Sequence, residues 1–457
     1  MRAASVGSGQ IIGERVENYR NAGLSAAQEA WVAQSVRRVR LPPSLSPNGY
    51  ACNALHSEQS AACGDHLPPA PPRWSEVLLV NGTYQPALYL LPGPLIDAFA
   101  RSPAVGLWLG RATFALICWL LFALALLALG TSGTGGNLVG LLLATTPMVV
   151  FICSMLNPSG PEVAAGVAFN AGLLRLGRPG LDRRWGWFAA GGGGVVLCLS
   201  RTLGPAWLFV IGGVWLVWVG PRHALCMIRE APRLAGGVIG LVTVAIGVNR
   251  LWESLYGPKV QASVPDPLQA ILGSLRGWGL WLKEQVGLFQ YTDAPMPDAL
   301  IVFWYALLAA LVLAALWVGS WRDRASLVAI AFACFGLTTL LDAWVLVPVG
   351  WPVQGRHVLP LTVALPMWTG EIWAYRTGPR ARRWLLPLCV SWLAIQVVAF
   401  LANGRRSAVG VRGSWWYVLR GAEWSPPGGW LLWACVCLLS TVLVFVGVYA
   451  PSFMRDR

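Results

Sequence analysis

The chain carries a series of long apolar runs separated by short polar segments, and the first run begins at Val105. A helix of about 18 or more apolar residues can cross about 30 Å of hydrocarbon, because each residue adds about 1.5 Å. Some of the runs are short for a full span. The predicted helices cover residues 105–129, 137–156, 162–174, 185–199, 205–219, 234–248, 298–318, 326–347, 358–375, 385–401 and 430–449. The pattern predicts an all-α polytopic membrane protein with about eleven transmembrane helices.

The composition agrees with a lipid environment. Hydrophobic residues make up 56% of the chain and charged residues 12%, whereas a soluble domain carries roughly 25% charged residues. The 26 tryptophans also fit, because indole rings favour the membrane–water interface. The net charge of +14 would suit nucleic acid, but the arginines lie in short clusters between apolar runs. We therefore expect the lipid bilayer, and no nucleic acid, as a partner.

The arginine clusters occupy alternate loops, which the positive-inside bias places in the cytoplasm. This arrangement predicts that residues 1–103 are extracytoplasmic and that the tail with Arg455 and Arg457 is cytoplasmic. One loop departs from the scheme, because residues 403–428 carry four arginines on the predicted outer side. That outer loop is long enough to hold a basic patch with a function. The clusters fall at residues 175–184, 222–233, 322–324 and 376–383.

The loops divide the chain into four predicted parts. Residues 1–103 form a first outer segment with a helical pattern over 24–39 and a pair of loop cysteines, Cys52 and Cys63. A disulfide between them is favoured over two free thiols if the compartment is oxidising. Residues 104–250 and 298–457 hold the transmembrane helices. Residues 251–297 form an outer loop whose apolar residues recur at the spacing of an interfacial helix.

Export of the first segment needs a targeting element. Residues 1–19 contain no apolar h-region and no cleavage site. We therefore expect the true start to lie upstream and to encode one more helix, which would give about twelve.

Few ionisable residues lie near the apolar runs. Glu162, in MLNPSGPE, either faces a cavity or complements a helix dipole. Arg201, in the short outer turn LCLSRTLGP, either binds a phosphate group with its planar guanidinium or contacts lipid headgroups. Arg356 and His357, in PVQGRHVLP, begin a helix from the outer side and could face a polar substrate.

The interfacial segment adds Arg276 and Lys283, which are seven residues apart and so share one helix face. That face either holds an anionic lipid headgroup or is a solvated polar face. Asp342 lies within an apolar run, where pairing with an arginine is the simpler interpretation. No P-loop, GxSxG, HExxH or metal-ligand spacing is present, so ATP hydrolysis is not expected and no residue is singled out as a metal ligand.

The order of motifs resembles the bacterial membrane proteins catalogued as domain of unknown function 2142. The motifs are TYQPALYLLPG at residues 83–93, a first span with an early arginine, LNPSGPE, LSRTLGP and QGRHVLPL, where the family commonly shows QGRY. The resemblance covers nearly the whole chain. It implies a multi-pass protein of the bacterial inner membrane.

The same resemblance implies membership of the GT-C glycosyltransferase superfamily. Such enzymes take a sugar from a polyprenyl-phosphate carrier at the outer face, here for assembly of envelope glycans. Tyr84, Arg201, Arg276, Arg356 and His357 would then contact the substrate or its phosphate. The family's acidic pair before the segment RAASVGSG is absent from this sequence, which leaves Glu162 as a substitute base. The cofactor is left open, with a divalent metal as one option.

Two other functions compete with sugar transfer. A lipid or glycolipid transporter would show paired repeats and broken helices. No repeat is evident, although the glycines at 191–194 could mark either close helix packing or a break. A non-catalytic membrane scaffold is the third hypothesis.

Overall fold

The computed structural model describes residues 1–45, 52–66, 74–130, 138–178, 182–259, 264, 266–346, 349–351 and 353–454. Helices dominate this part of the chain. In order they are α1 (Arg2–Gly7), α2 (Ala26–Ser35), α3 (Pro92–Ala98), α4 (Pro103–Gly130), α5 (Leu138–Ala144), α6 (Pro147–Cys153), α7 (Ser159–Leu176), α8 (Arg184–Ser200), α9 (Gly204–Val219), α10 (Pro221–Glu230), α11 (Pro232–Tyr256), α12 (Pro267–Val286), α13 (Asp298–Val318), α14 (Trp321–Phe332), α15 (Thr338–Leu341), α16 (Gly355–Thr362), α17 (Ala364–Thr377), α18 (Leu385–Val409) and α19 (Gly429–Met454).

Shorter elements complete the described structure. Short 3₁₀ helices cover Pro43–Leu45, Ala61–His66, Ala87–Leu90, Gly378–Trp384 and Trp415–Val418, and π-helical turns cover Ala333–Leu337 and Asp342–Leu346. The strands are β1 (Glu14–Arg15), β2 (Arg37–Leu41), β3 (Ser75–Leu79), β4 (Leu288–Phe289) and β5 (Ala294–Pro295). They form a three-stranded antiparallel sheet, β1-β2-β3, and a two-stranded ribbon, β4-β5.

Six helices of the described part are long and apolar enough to cross a membrane. The helices α9 and α10, whose axes differ by 99°, would make a seventh if the pair forms one bent span. The prediction of several apolar helices that could cross a membrane is therefore confirmed, with six or seven candidates in the described residues. The six are Pro103–Gly130, Pro232–Tyr256, Asp298–Val318, Trp321–Val345, Leu385–Val409 and Gly429–Gly447.

The other predicted segments are also helical, but they form shorter or less apolar helices. The segment at 137–156 is divided into α5 and α6, because Pro147 begins the second helix and Thr146 caps it by accepting the Val149 N–H. The segment at 358–375 is divided between α16 and α17 at Val363. Some predicted positions lie outside the described residues. They are residue 137, which begins one predicted segment, residue 347, which ends another, and Arg455 and Arg457 of the basic tail.

The core lies around α7, in which every residue is buried. Small residues let its neighbours approach closely. A Cβ atom added at Gly172 would lie 2.3 Å from the Ala190 nitrogen of α8, and one at Gly193 would lie 2.5 Å from the Phe169 nitrogen of α7. Since α8 continues as a helix through residues 191–194, these glycines serve close packing and not a break.

The first segment folds as a small cap on the helices. The predicted helix at 24–39 is too long, because α2 ends at Ser35 and residues 37–41 form β2. Alternate residues of β2 are buried, which is the period of a strand on an apolar core. Side chains of α1, the sheet and α3 form a core that reaches Phe114 of α4.

A disulfide joins Cys52 and Cys63, and the loop it closes is bound to the end of α18. The fully buried Arg406 donates to the carbonyl oxygens of Gln59 at 2.7 Å and Asn53 at 2.6 Å. The same guanidinium pairs with the carboxylate of Asp293 at 2.7 Å. Arg406, in the last turn of α18, therefore connects residues 53–59 of the cap to the loop after α12.

We expect the substitution Arg406→Met to destabilise the protein by about 3–5 kcal/mol, because it leaves the Asp293 carboxylate without its buried partner. Thermal unfolding of the purified protein measures this effect. Arg412→Met is the matched control, since Arg412 pairs with Glu58 of the same loop but is exposed. The thermal midpoint of Arg412→Met should be nearly unchanged. An equal fall of the midpoint in the two variants would contradict a special role for the buried Arg406–Asp293 pair.

Candidate functional site

A cavity of about 690 Å³ opens between the cap and the helices. Pockets of this size hold small molecules or lipid headgroups. Its walls come from the cap, the first turn of α7, the turn between α8 and α9, α12, α15 and the segment that begins α16. Four residues predicted from the sequence line it together, namely Tyr84, Glu162, Arg201 and His357.

Arg201 is fixed at the wall of this cavity by contacts with two separate parts of the chain. Its Nη1 donates to Ser159 Oγ at 3.0 Å, and its Nη2 donates to the Tyr84 hydroxyl at 2.9 Å. The guanidinium also lies 5.2 Å from the centre of the Tyr84 ring. Asn249 of α11 supports the turn by donating to the Arg201 carbonyl at 3.1 Å. Both side-chain partners are neutral hydroxyls, so the positive charge remains available to an anion.

Glu162 lies one helical turn from Ser159, in the first turn of α7. Its side chain is 1% exposed, and its Oε2 has no hydrogen-bond partner. The position complements the helix dipole, yet a dipole does not satisfy a buried carboxylate oxygen. Its charge interacts with that of Arg201. The carboxylate is therefore placed to accept a proton or hydrogen bond from a ligand in the cavity.

Arg356 and His357 lie in the first turn of α16. Arg356 is half-buried, donates to the Gln354 side chain at 2.8 Å, and interacts electrostatically with Arg201. His357 lines the cavity, whereas Arg356 lies beside it. The structure therefore brings the Arg356 guanidinium near that of Arg201, which is bound to Tyr84.

Three residues considered from the sequence differ from this group. Arg276 is exposed on α12 and does not line the cavity. Lys283 pairs with Asp298 at 2.8 Å, which matches a solvated polar face. Asp342 lines the cavity and accepts the Val353 N–H at 2.6 Å, and no described arginine pairs with it.

Sequence reasoning missed a row of cavity residues on α12. Ser274, Trp278, Trp281 and Glu284 recur at helical spacing and face the cavity. Glu284 accepts the Gly355 N–H at 2.5 Å. Burial raises the pKa of Glu284 above its usual value, although the hydrogen bond and the charge of Arg356 act in the opposite direction. The spacing was visible in the sequence, but it also fits a helix on the membrane surface.

Glu253 is a further carboxylate at the cavity that the sequence did not single out. It accepts the Thr202 hydroxyl at 2.9 Å. Even so, no three His, Cys, Asp or Glu side chains of the described ranges come together as ligands for a metal ion. The described residues at the cavity therefore do not form a metal centre.

The fit between α12 and α16 sets the shape of the cavity wall. A Cβ atom at Gly355 would lie 2.1 Å from the Trp281 carbonyl oxygen, so Gly355→Ala must push the two helices apart. We expect this substitution to cost about 1–3 kcal/mol and to lower the thermal midpoint. Gly279→Ala, on α12 with no atom within 4 Å, should stabilise the helix by up to about 1 kcal/mol. A Gly355→Ala protein as stable as the parent would contradict the close contact.

A family model described as predicted membrane protein (DUF2142) matches residues 2–365. The matched range covers more than half of the chain and contains Tyr84, Glu162, Arg201, Arg356 and His357. No curated protein and no solved structure matches the chain.

Proposed function

The chain belongs to the family of predicted membrane proteins DUF2142, and we propose that it transfers a sugar from a polyprenyl-phosphate carrier to an envelope glycan acceptor. One observation carries the proposal. In a single cavity, the Arg201 guanidinium is held by two neutral hydroxyls while the buried Glu162 carboxylate has an unpartnered oxygen. A fixed cation beside a buried base suits the transfer of a group from a phosphate.

The roles follow from the chemistry of the transfer. Arg201 binds the phosphate of the donor, and Arg356 adds positive charge. The acceptor hydroxyl oxygen bonds to the anomeric carbon, and the bond between that carbon and the phosphate oxygen breaks. The phosphate leaves with the electron pair, which the two cations stabilise. Glu162 takes the hydroxyl proton as general base. Tyr84 and His357 line the cavity and orient the bound group.

The proposal includes an orientation in the membrane. Residues 1–103, with the Cys52–Cys63 bond, lie outside the cell together with the cavity, and the C-terminus is cytoplasmic. The arginine clusters at 175–184, 222–233, 322–324 and 376–383 then face the cytoplasm of a bacterium. The buried pair Arg178–Glu371 lies at that end of the bundle. In this arrangement the shorter helices complete about eleven crossings, enclosed by the apolar ones.

The activity is tested with purified full-length protein in nanodiscs and polyprenyl phosphates that carry different sugars. We expect Arg201→Ala to lose donor binding and transfer together, because it removes the phosphate partner. Glu162→Gln should keep donor binding and lose transfer by about 100-fold or more, because a general base contributes 10²–10⁴-fold. Arg276→Ala, which changes an exposed arginine outside the cavity, is the control and should retain both.

Other outcomes would replace the proposal. Movement of the labelled lipid across the bilayer without any transfer would favour a transporter. Failure of the parent protein to bind any polyprenyl phosphate, with Arg201→Ala harmless in cells, would favour a scaffold.

The orientation has its own test by cysteine labelling in intact cells. A membrane-impermeant maleimide should label Glu76→Cys, which is exposed on the cap, without permeabilisation. The native Cys226 of α10 is exposed as well, but it lies between Arg222 and Arg229 and should react only after permeabilisation. The reverse pattern would show that the orientation is wrong.

A further inference from the structure

One region of the cavity is lined by aromatic side chains, unlike the cationic region at Arg201. Here Trp278 and Trp281 of α12 line the wall with their ring centres 6.2 Å apart. Phe335 packs behind both rings, at 5.5 Å from Trp278 and 5.8 Å from Trp281. We call Trp278, Trp281, Thr338, Thr339 and Asp342 the aromatic end. Its rings are held in place by packing, so they present a fixed apolar surface to the cavity.

The aromatic end also carries polar atoms that lack partners. Trp281 is 4% exposed and its Nε1 has no hydrogen-bond acceptor, while Thr338 is 2% exposed and its Oγ1 has no partner. The neighbouring pair is satisfied, since Trp278 Nε1 donates to Thr339 Oγ1 at 3.0 Å. Buried polar atoms are normally hydrogen-bonded, so two unpartnered atoms on a cavity wall indicate a polar ligand.

The carboxylate of Asp342 contributes to this end. Its Oδ1 is fixed by the Val353 N–H at 2.6 Å, which orients the group towards the segment before α16. The aromatic end thus combines two rings with an indole donor, a hydroxyl that can donate or accept, and a carboxylate acceptor. A sugar ring has the matching surface, because its C–H face is apolar and its hydroxyls donate and accept.

We propose that the aromatic end binds the sugar ring of the donor and selects which sugar is transferred. The inference rests on the proposed function, since it assumes that the phosphate of the same donor binds at Arg201. A lipid chain would cover the rings equally well, but it would leave Trp281 Nε1 and Thr338 Oγ1 without partners. The unpartnered atoms therefore favour the sugar over the lipid chain.

Binding to full-length protein in nanodiscs tests the inference without requiring turnover. The probes are bare polyprenyl phosphate and the same lipid carrying glucose, galactose or mannose. The parent protein should bind at least one sugar-bearing lipid about tenfold more tightly than the bare lipid. Trp281→Leu and the isosteric Thr338→Val should each reduce that preference by several fold without changing affinity for the bare lipid.

Two further variants make the test specific. Trp281→Phe keeps a ring and removes the donor, so it should retain part of the preference. Trp317→Leu removes a tryptophan that is 86% exposed on α13 and should retain all of it. Thr338→Val alone decides the result if the tryptophan variants fail to fold.

The outcomes separate the inference from the proposed function. Equal binding of bare and sugar-bearing lipids by the parent protein overturns the sugar site and leaves the phosphate site standing. A preference that survives both Trp281→Leu and Thr338→Val overturns it as well. If the parent protein binds no polyprenyl phosphate, the proposed function fails and the inference fails with it.

Discussion

The hydrogen bonds of the Arg201 guanidinium join three distant parts of the chain at one point. Tyr84 belongs to the cap, Ser159 begins α7, and Arg201 itself lies in the turn between α8 and α9. Because both partners are neutral, the interaction fixes the cation without neutralising it. The candidate site depends on this geometry, since the first turn of α7 also carries Glu162. A shift of α7 would move Glu162 together with Ser159, which accepts a hydrogen bond from Arg201.

The position of α7 is in turn set by close packing. All of its residues are buried, and glycines on α7 and α8 allow backbone contacts that a Cβ atom would block. Interlocked backbones of this kind are characteristic of helix contacts within membranes. The cap is joined to the helices a second time at Arg406, which binds the disulfide loop and Asp293. The cap that encloses the cavity therefore contacts the helices at two separate points, Arg201 and Arg406.

The sequence allowed the helices and much of the site to be predicted, because long apolar runs and isolated polar residues are local signals. Four polar residues that the sequence singles out line one cavity, namely Tyr84, Glu162, Arg201 and His357. The family resemblance is confirmed by the match over residues 2–365. The number of crossing helices was harder to predict, because a short apolar helix can be enclosed by other helices. Burial of α7 arises from its neighbours, which no local pattern identifies.

The residues of α12 show why the rest could not be predicted. Arg276 and Trp281 lie on one amphipathic helix, and only its packing against α16 shows which face lines a cavity. Strand β2 was missed because Val32, Val36 and Val39 recur at helical spacing, although Arg37, Val39 and Leu41 are buried at the alternate positions of a strand. The first error concerns the orientation of α12 relative to its neighbours, and the second concerns the type of element.

We propose that one cavity holds the phosphate of a lipid-linked donor at Arg201 and its sugar ring at the aromatic end. A cryo-electron microscopy structure of the full-length protein in nanodiscs with a sugar-bearing polyprenyl phosphate tests it most directly. We expect density for the phosphate within hydrogen-bonding distance of Arg201 and for the sugar ring against Trp281. Donor density outside this cavity, with the Arg201 side chain still bonded only to Tyr84 and Ser159, would contradict it.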